Sequence, residues 1–453
     1  MKTEATLSST DDLSLAPARR SRTRFSILAL LAIGTVINYL DRTVLGIAAP
    51  SLSKDLGLSV GMMGIVFSAF SWTYTLSQIP AGLLLDRLGA RKTYFMAVAS
   101  WSTFIVLNGL SGGLVSLMIY RLGLGVAESP CFSANSRVVG HWFPQRERAR
   151  ATSIYQVGQY IGLAVFSPLL FWIIAAFGWR AMFVIVGAAG LVFALVWWLR
   201  YHEPHESPTM NDAEREYIGA GGGLATTADA RRAFSWHDVG SLLRRRAIWG
   251  AAIGQFAGNS TVVFFLTWFP TYLVTERHMA WLKIGFFAIL PFLGASVGVL
   301  FGGWLSDLLL RRTGRVNVAR KLPIITGLLL SSSIVAAIFV KSDAAVIAVM
   351  SLAFFGQGMG GLGWSIVPDI APKRLMGLTG GIFNFTANIA GIVTPIVIGA
   401  IVALTGSFYW GLMFIGAVAL LGAASYVFIL GDIKRIELPG DVNAETTAPK
   451  HAA

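Results

Sequence analysis

Asp41 and Arg42 stand side by side in INYLDRTVLG, residues 37–46, inside a run that otherwise seeks hydrocarbon. Arg121 and Glu128 lie seven residues apart in a second such run, which includes RLGLGVAESPCF. Seven residues make two helical turns, so Arg121 and Glu128 share one helical face. Neighbours on a helix point about 100° apart, so Asp41 and Arg42 need different partners. A charge at the centre of a bilayer costs roughly 2.5–3.5 kcal/mol on insertion scales, so residues of this kind are kept where they have a use. Buried carboxyls can take up and release protons, and arginines can hold an anion.

The elements that position these residues are legible from composition. The chain has 453 residues, of which 55% are hydrophobic and only 13% charged. Its mean hydropathy is +0.65. Soluble proteins carry about 25% charged residues. The deficit falls in twelve apolar stretches, from 25–49 to 408–431, each near the ~20 residues that span a bilayer. Only helices satisfy their own backbone there without closing a barrel, so the expected fold is an all-α polytopic membrane protein with twelve transmembrane helices.

One long polar break, residues 201–246, divides these into two six-helix bundles, 25–200 and 247–431. Residues 1–24 are expected to be a disordered cytoplasmic tail, and 432–453 a second cytoplasmic tail. The net charge of +13 sits in alternate connections, for example Arg87, Arg91 and Lys92, or Arg244 to Arg246. That pattern sets membrane orientation and places both termini in the cytoplasm; it does not point to nucleic acid. The single cysteine, Cys131, excludes an intrachain disulfide. No nucleotide-binding loop, metal-ligand cluster or nucleophile–base pair appears, so no enzyme, metal or cofactor is expected. The six histidines all fall in or near loops.

A helix rises ~1.5 Å per residue, which places Asp41 about 25 Å along from Arg24 and Arg121 near the same depth from the other side. Glu128 lies another ~10 Å deeper. These depths predict that Asp41 pairs with Arg121, while Arg42 lies nearer the cavity with Glu128 below it. Protonating either acid would then free an arginine for an anion. The plainer alternative is that the four charges only lock two helices together, which apolar packing could do without their cost. The halves also echo one another: GLLLDRLGARK (82–92) is answered by GGWLSDLLLRRTGRVNVARK (302–321). Related halves of this kind enclose a binding site near mid-membrane.

GLLLDRLGARK is similar to the signature loop of the major facilitator superfamily, with Gly82, Asp86, Arg87, Gly89, Arg91 and Lys92 at the matching places. NYLDR (38–42), FSAFSWTYTLSQIPAGLLLDRLG (67–89), RLGLGVAESPCF (121–132), HWFPQRERARA (141–151) and GLTGGIFNF (377–385) resemble its anion:cation symporter branch. Within that branch they resemble bacterial sugar-acid carriers of the D-galactonate type, with glucarate and hexuronate carriers close behind. The similarity covers nearly the whole chain. It implies import of a D-galactonate-like hexonate by proton symport, through alternating access, in the bacterial inner membrane.

The resemblance further implies proton coupling at Asp41 and Glu128 and anion binding at Arg42. By the same resemblance Tyr39, Tyr74, Gln159, Trp364 and Asn384 bind substrate, and Asp86, Arg87 and Arg91 form a cytoplasmic gate. Asp307 and Arg311 form a weaker second copy of that gate. Gln78, Gln156, Gln255, Asn259, Gln357, Ser365 and Asn388 are further polar candidates, although amides in apolar helices also simply bond across helices. The expected partners are a small organic anion, protons and lipid, and the expected state is a monomer. One departure stands out: GLGWS (361–365) has Gly361 and Gly363 where such carriers have small hydroxyl residues. A glucarate-like diacid, a hexuronate or an aromatic carboxylate is therefore the alternative substrate. Sodium coupling, exchange and a non-transporting sensor are the rival functions, and the 46-residue central loop is too short for a signalling domain.

Overall fold

The computed structural model describes residues 20–223, 236–372 and 375–436, and these are helical with no strand among them. Residues 1–19 and 437–453, most of the two expected tails, lie outside the described residues. The first helix, α1 (Thr23–Asp55), is followed by α2 (Val60–Gly109), α3 (Leu114–Glu128), α4 (Cys131–Trp142) and α5 (Gln145–Arg200). Two short helices, α6 (Asp212–Ala220) and α7 (Trp236–Leu243), belong to the central connection. The second half comprises α8 (Arg246–Thr267), α9 (Phe269–Thr275), α10 (Trp281–Phe287), α11 (Ile289–Thr313), α12 (Val316–Ser332), α13 (Asp343–Gly360), α14 (Gly363–Ile370), α15 (Met376–Thr405) and α16 (Tyr409–Ala424). Seven helical stretches among the described residues are long and apolar enough to cross a membrane.

Fifty residues of helix would reach ~75 Å, far more than a bilayer's ~30 Å hydrocarbon core. α2 and α5 are accordingly each broken once, at Gly89 (φ 76°, ψ 171°) and Gly178 (φ 81°, ψ 172°). A positive φ with an extended ψ is a conformation that glycine adopts without a Cβ penalty, so the chain turns there and each helix becomes two arms. Side chains as exposed as Leu76 (75%), Leu404 (87%) and Phe428 (79%) cover the outside, as a surface in hydrocarbon requires.

The two ends of the molecule are unlike. The end carrying Arg24, Arg91, Arg137 and Arg320 is the arginine-rich face. There the first helix is fastened to the central connection: the buried Glu214 accepts from Arg24 Nη1 at 2.7 Å and from the Ser21 hydroxyl at 2.6 Å. Asn211 caps α6 by accepting from Glu214 N–H. At the opposite face, Asp55 pairs with Arg180, and Asp343 pairs with Lys283 at 2.6 Å.

The halves meet towards the opposite face. A Cβ on Gly64 would lie 2.6 Å from the Pro395 carbonyl oxygen, and one on Gly46 would collide with the Leu266 carbonyl. Glycines at these positions let helix backbones touch. One continuous apolar core runs through the first half and into the opposite-face part of the second, through Phe264, Trp268, Phe354 and Phe408. The arginine-rich end of the second half has a separate core built on Ile248, Ile324, Ile370, Phe383 and Tyr426. The bundles therefore share one apolar core towards the opposite face, and the arginine-rich end of the second half is packed on a core of its own.

Candidate functional site

α1 and α3 bring the sequence's charged residues together in the first half. Arg42 Nε donates to Glu128 Oε2 at 3.0 Å, and the Glu128 side chain is fully buried. Three rings surround the Arg42 guanidinium: Phe70 and Tyr74 with centroids at 4.9 Å, and Tyr39 at 5.4 Å. Tyr74 stacks on Phe70, and Tyr39 is held edge-on by Phe132. Each face-on ring favours the cation electrostatically, so the cage holds the guanidinium in place. Arg42 keeps hydrogen-bonding capacity in reserve, because its Nη2 is buried without a partner, as is Glu128 Oε1. Asn38, one turn before Arg42, is buried beside Glu128.

The expected pairing of Asp41 with Arg121 is not formed. Asp41 is buried, neither carboxylate oxygen completes a hydrogen bond, and it lies beside the Trp101 indole on the second arm of α2. Arg121 is buried with its guanidinium over the Phe70 ring, 5.3 Å from the centroid, and its Nε makes no hydrogen bond. The reason is azimuth. α3 packs chiefly on α2, so the face shared by Arg121 and Glu128 looks along Phe70 towards Arg42. Asp41, about 100° round α1 from Arg42, turns to the Trp101 arm instead.

The polar lining divides between the halves. Gln159 is buried on α5 next to Tyr160, whose ring meets Phe354 of the second half edge-on at 5.9 Å. Trp364, 45% exposed, stands edge-on to Phe383 at 5.0 Å. Asn384 is not free: its Nδ2 donates to Gln78 Oε1 across the two halves at 2.8 Å. Gly363 faces Gln255, since a Cβ there would lie 2.8 Å from its Oε1. Gly363 of GLGWS thus leaves room for an amide where a hydroxyl side chain could have stood.

At the arginine-rich face the side chain of Asp86 lies outside the described residues, and Arg87 is exposed. Arg91 donates to the Trp198 carbonyl at 2.8 Å, so it fastens the turn at Gly89 to the end of α5. Glu203 accepts from Ala90 N–H at 3.1 Å in the same place. In the second half Asp307 and Arg311 are exposed. The tie there is made by Arg320, which pairs with Asp369 at 3.1 Å and donates to the Ser306 hydroxyl at 3.2 Å. Among the residues of the site, sequence reasoning did not single out Asn38, Phe70 or Trp101. Asn38 carries a usable signal, standing one helical turn before Arg42.

A paired, buried charge cluster inside a helical bundle, with amides facing it from a second bundle, defines a membrane transport protein of the major facilitator type. The chain belongs to the Major Facilitator Superfamily, whose model matches residues 31–395. It is 43% identical to a probable galactarate/D-glucarate transporter of Escherichia coli K12 over 95% of this chain and 99% of that one. It is 42% identical to a D-galactonate transporter of Escherichia coli O6:H1 over 94% and 100%, and 32% identical to a hexuronate transporter of Bacillus subtilis over 94% and 98%. Among solved structures, a bacterial homologue of the human lysosomal transporter Spinster has the same fold, with a TM-score of 0.67 and 19% identity over 90% of this chain and 95% of that one. The resemblance read from the motifs is thereby shown: the relatives are transporters, not enzymes, and the chain is a multi-pass membrane protein.

Proposed function

We propose that the protein imports a sugar acid across the bacterial inner membrane by proton symport, through alternating access between its halves. The observation that carries this reading is the Arg42–Glu128 pair, 3.0 Å long, with Glu128 fully buried and Arg42 partly so among apolar helices. Two buried acids, Asp41 and Glu128, balance two arginines, the buried Arg121 and the partly buried Arg42. An anion entering such a site adds an uncompensated charge, which costs several kcal/mol in a medium of low dielectric. A proton on Glu128 removes that cost and at the same time releases Arg42 Nε to the substrate carboxylate. Substrate and proton then bind best together, which is the thermodynamic content of symport. Asn384, Trp364 and Gln159 supply the neutral donors, acceptors and stacking surface that hydroxyls and a carbon chain need.

Counting the arms of α2 and α5 separately supports twelve crossings, and the arginine-rich face then lies in the cytoplasm with both termini. The bundles are joined at the opposite face, so this conformation is open to the cytoplasm. A hexonate of the galactonate kind fits one cation. A second reading, an aldarate such as galactarate or glucarate, is favoured by Arg121, whose buried Nε has no partner and could meet a second carboxylate. Its most similar curated relatives include carriers named for both classes.

Glu128→Gln tests the coupling. Proteoliposomes with this variant should lose proton-driven accumulation of the sugar acid while retaining exchange of internal for external substrate. Normal uphill uptake would remove Glu128 from the mechanism. A binding screen of galactonate, galactarate, glucarate and glucuronate at pH 5.5 and 7.5 separates the two substrate readings.

A further inference from the structure

Asn384 and Gln78 lie 306 residues apart, on α15 and on the first arm of α2, and their side chains are joined at 2.8 Å. The direction of this bond follows from its surroundings. Asn388 Nδ2 donates to the Asn384 backbone carbonyl at 2.8 Å, which identifies that atom as the nitrogen of the amide. The same nitrogen reaches the near side-chain atom of Asn384 at 3.3 Å, so that atom is an oxygen. Asn384 therefore presents its NH2 to the first half, and Gln78 must answer with its carbonyl oxygen. Gln78 is one helical turn from Tyr74, whose ring lies against Arg42. The bond thus stands beside the charged site, on the arginine-rich side of it.

We propose that Gln78 is a positioning residue that holds the place of the substrate: its carbonyl oxygen occupies the Asn384 amide in the empty carrier, as a substrate hydroxyl does in the loaded one. The inference rests on the sugar-acid reading of the site. Its consequence is mechanical. A substrate that takes Asn384 must break a hydrogen bond between the two halves, in the conformation that is open at the arginine-rich face. Occupancy then weakens that conformation and favours the movement of one half against the other.

The test uses the full-length purified carrier and Gln78→Met, which keeps length and removes the acceptor. Isothermal titration with D-galactonate and D-glucarate should show affinity rising roughly two- to tenfold, the range that one exchanged hydrogen bond gives. Asn384→Ala should weaken binding, and the double variant should match Asn384→Ala alone, because Gln78 acts only through Asn384. A Gln78→Met loss of affinity that adds to the Asn384→Ala loss would make Gln78 a direct ligand and overturn the proposal. The second readout needs no substrate. Cys131 is buried, so spin labels on Leu88→Cys and Arg312→Cys report the separation of the halves at the arginine-rich face. In the ligand-free protein, Gln78→Met should move this distance distribution towards shorter values, and an unchanged distribution would overturn the proposal. If the wild type binds none of the sugar acids, the substrate reading fails, while the distance measurement still decides whether Gln78 ties the halves.

Discussion

The two halves share a helical plan but not an interior. Among the described residues, the buried charged side chains of the bilayer-depth helices, Asp41, Arg121 and Glu128, all belong to the first half, with Arg42 partly buried beside them. At corresponding depth the second half offers amides: Gln255, Asn259, Gln357, Asn384 and Asn388. Asn259 and Asn388 are spent on backbone carbonyls of α15, so they shape that helix and leave Asn384 to face the first half. On the proposed reading this division separates tasks. The carboxyls that would take up a proton are packed in one bundle and the neutral groups that would meet substrate hydroxyls in the other. Coupling would then have to cross the seam between the bundles.

The comparison breaks most severely at Arg42. On the proposed reading Arg42→Ala removes the anion's counter-charge; it also leaves Glu128 buried without its partner, a change that costs about 3–5 kcal/mol where a buried pair is broken. Sugar-acid binding measured by titration should fall by at least about a hundredfold. Arg42→Lys should recover part of it, since the charge returns without the planar fork. An Arg42→Ala carrier with unchanged affinity would show that the cation serves only to pack α1 against α3.

The seam itself gives the next largest effect. Gly64→Val places branched carbon where the Pro395 carbonyl and the Gly399 backbone now stand, within 2.6 Å and 3.3 Å of a Cβ. Overpacking of this kind costs about 1–3 kcal/mol, and here it falls on one conformation of the carrier. Reactivity of an engineered cysteine near the opposite face, at Val60 for instance, should rise as the halves part there. Transport should slow while substrate remains bound. A variant with normal transport and unchanged reactivity would mean that α2 and α15 do not close against each other in the cycle.

How much of this was legible in the sequence varies with the geometry involved. Depth could be counted only coarsely: rise per residue put Glu128 about 10 Å below the level of Asp41 and Arg42, whereas Arg42 reaches it at 3.0 Å. Azimuth could not: whether Arg121 meets Asp41 depends on which face α3 offers to α2, and spacing on α3 says only that Arg121 and Glu128 look the same way. The breaks in the long helices carry plain local signals, Gly89 in the Asp–Arg turn and Gly178 before Trp179. The Gln78–Asn384 bond has none, because its register is set by how two bundles dock and not by either helix. The second-half tie was sought at Asp307 and Arg311 by analogy between the halves. It lies instead at Arg320, whose partner Asp369 comes from α14 and is invisible to a comparison of loops.

Asn384→Ala sharpens the comparison from the neutral side. Loss of one hydrogen bond to substrate should weaken binding by about tenfold or less. Because no ionisable group is removed, the pH profile of uptake should keep its shape, whereas substitutions at Asp41 or Glu128 should change that shape. A shifted pH profile in Asn384→Ala would show that the second half shares in proton binding, and the division of tasks would fail.

The smallest expected effect lies at the arginine-rich face, where the two halves also differ in how they fasten their ends. The second half uses Arg320 with Asp369 and Ser306; the first sets Glu203 against Ala90 N–H, with His141 Nδ1 at 3.6 Å. Burial pushes the Glu203 carboxyl up, but the His141 imidazole beside it and the hydrogen bond from the Ala90 amide more than offset this and hold it below the usual glutamate range. A carboxyl depressed on folding contributes stability that is fully present above its unfolded value of about 4.3 and is lost as pH falls through the folded one. Glu203→Gln should therefore lower the melting temperature by about 1–2 °C near neutral pH, a discounted figure for a partly exposed group. The difference from the wild type should shrink steadily below about pH 4. A gap that stays constant down to acid pH would show that Glu203 acts there through packing and hydrogen bonding, with its charge contributing nothing to the tie.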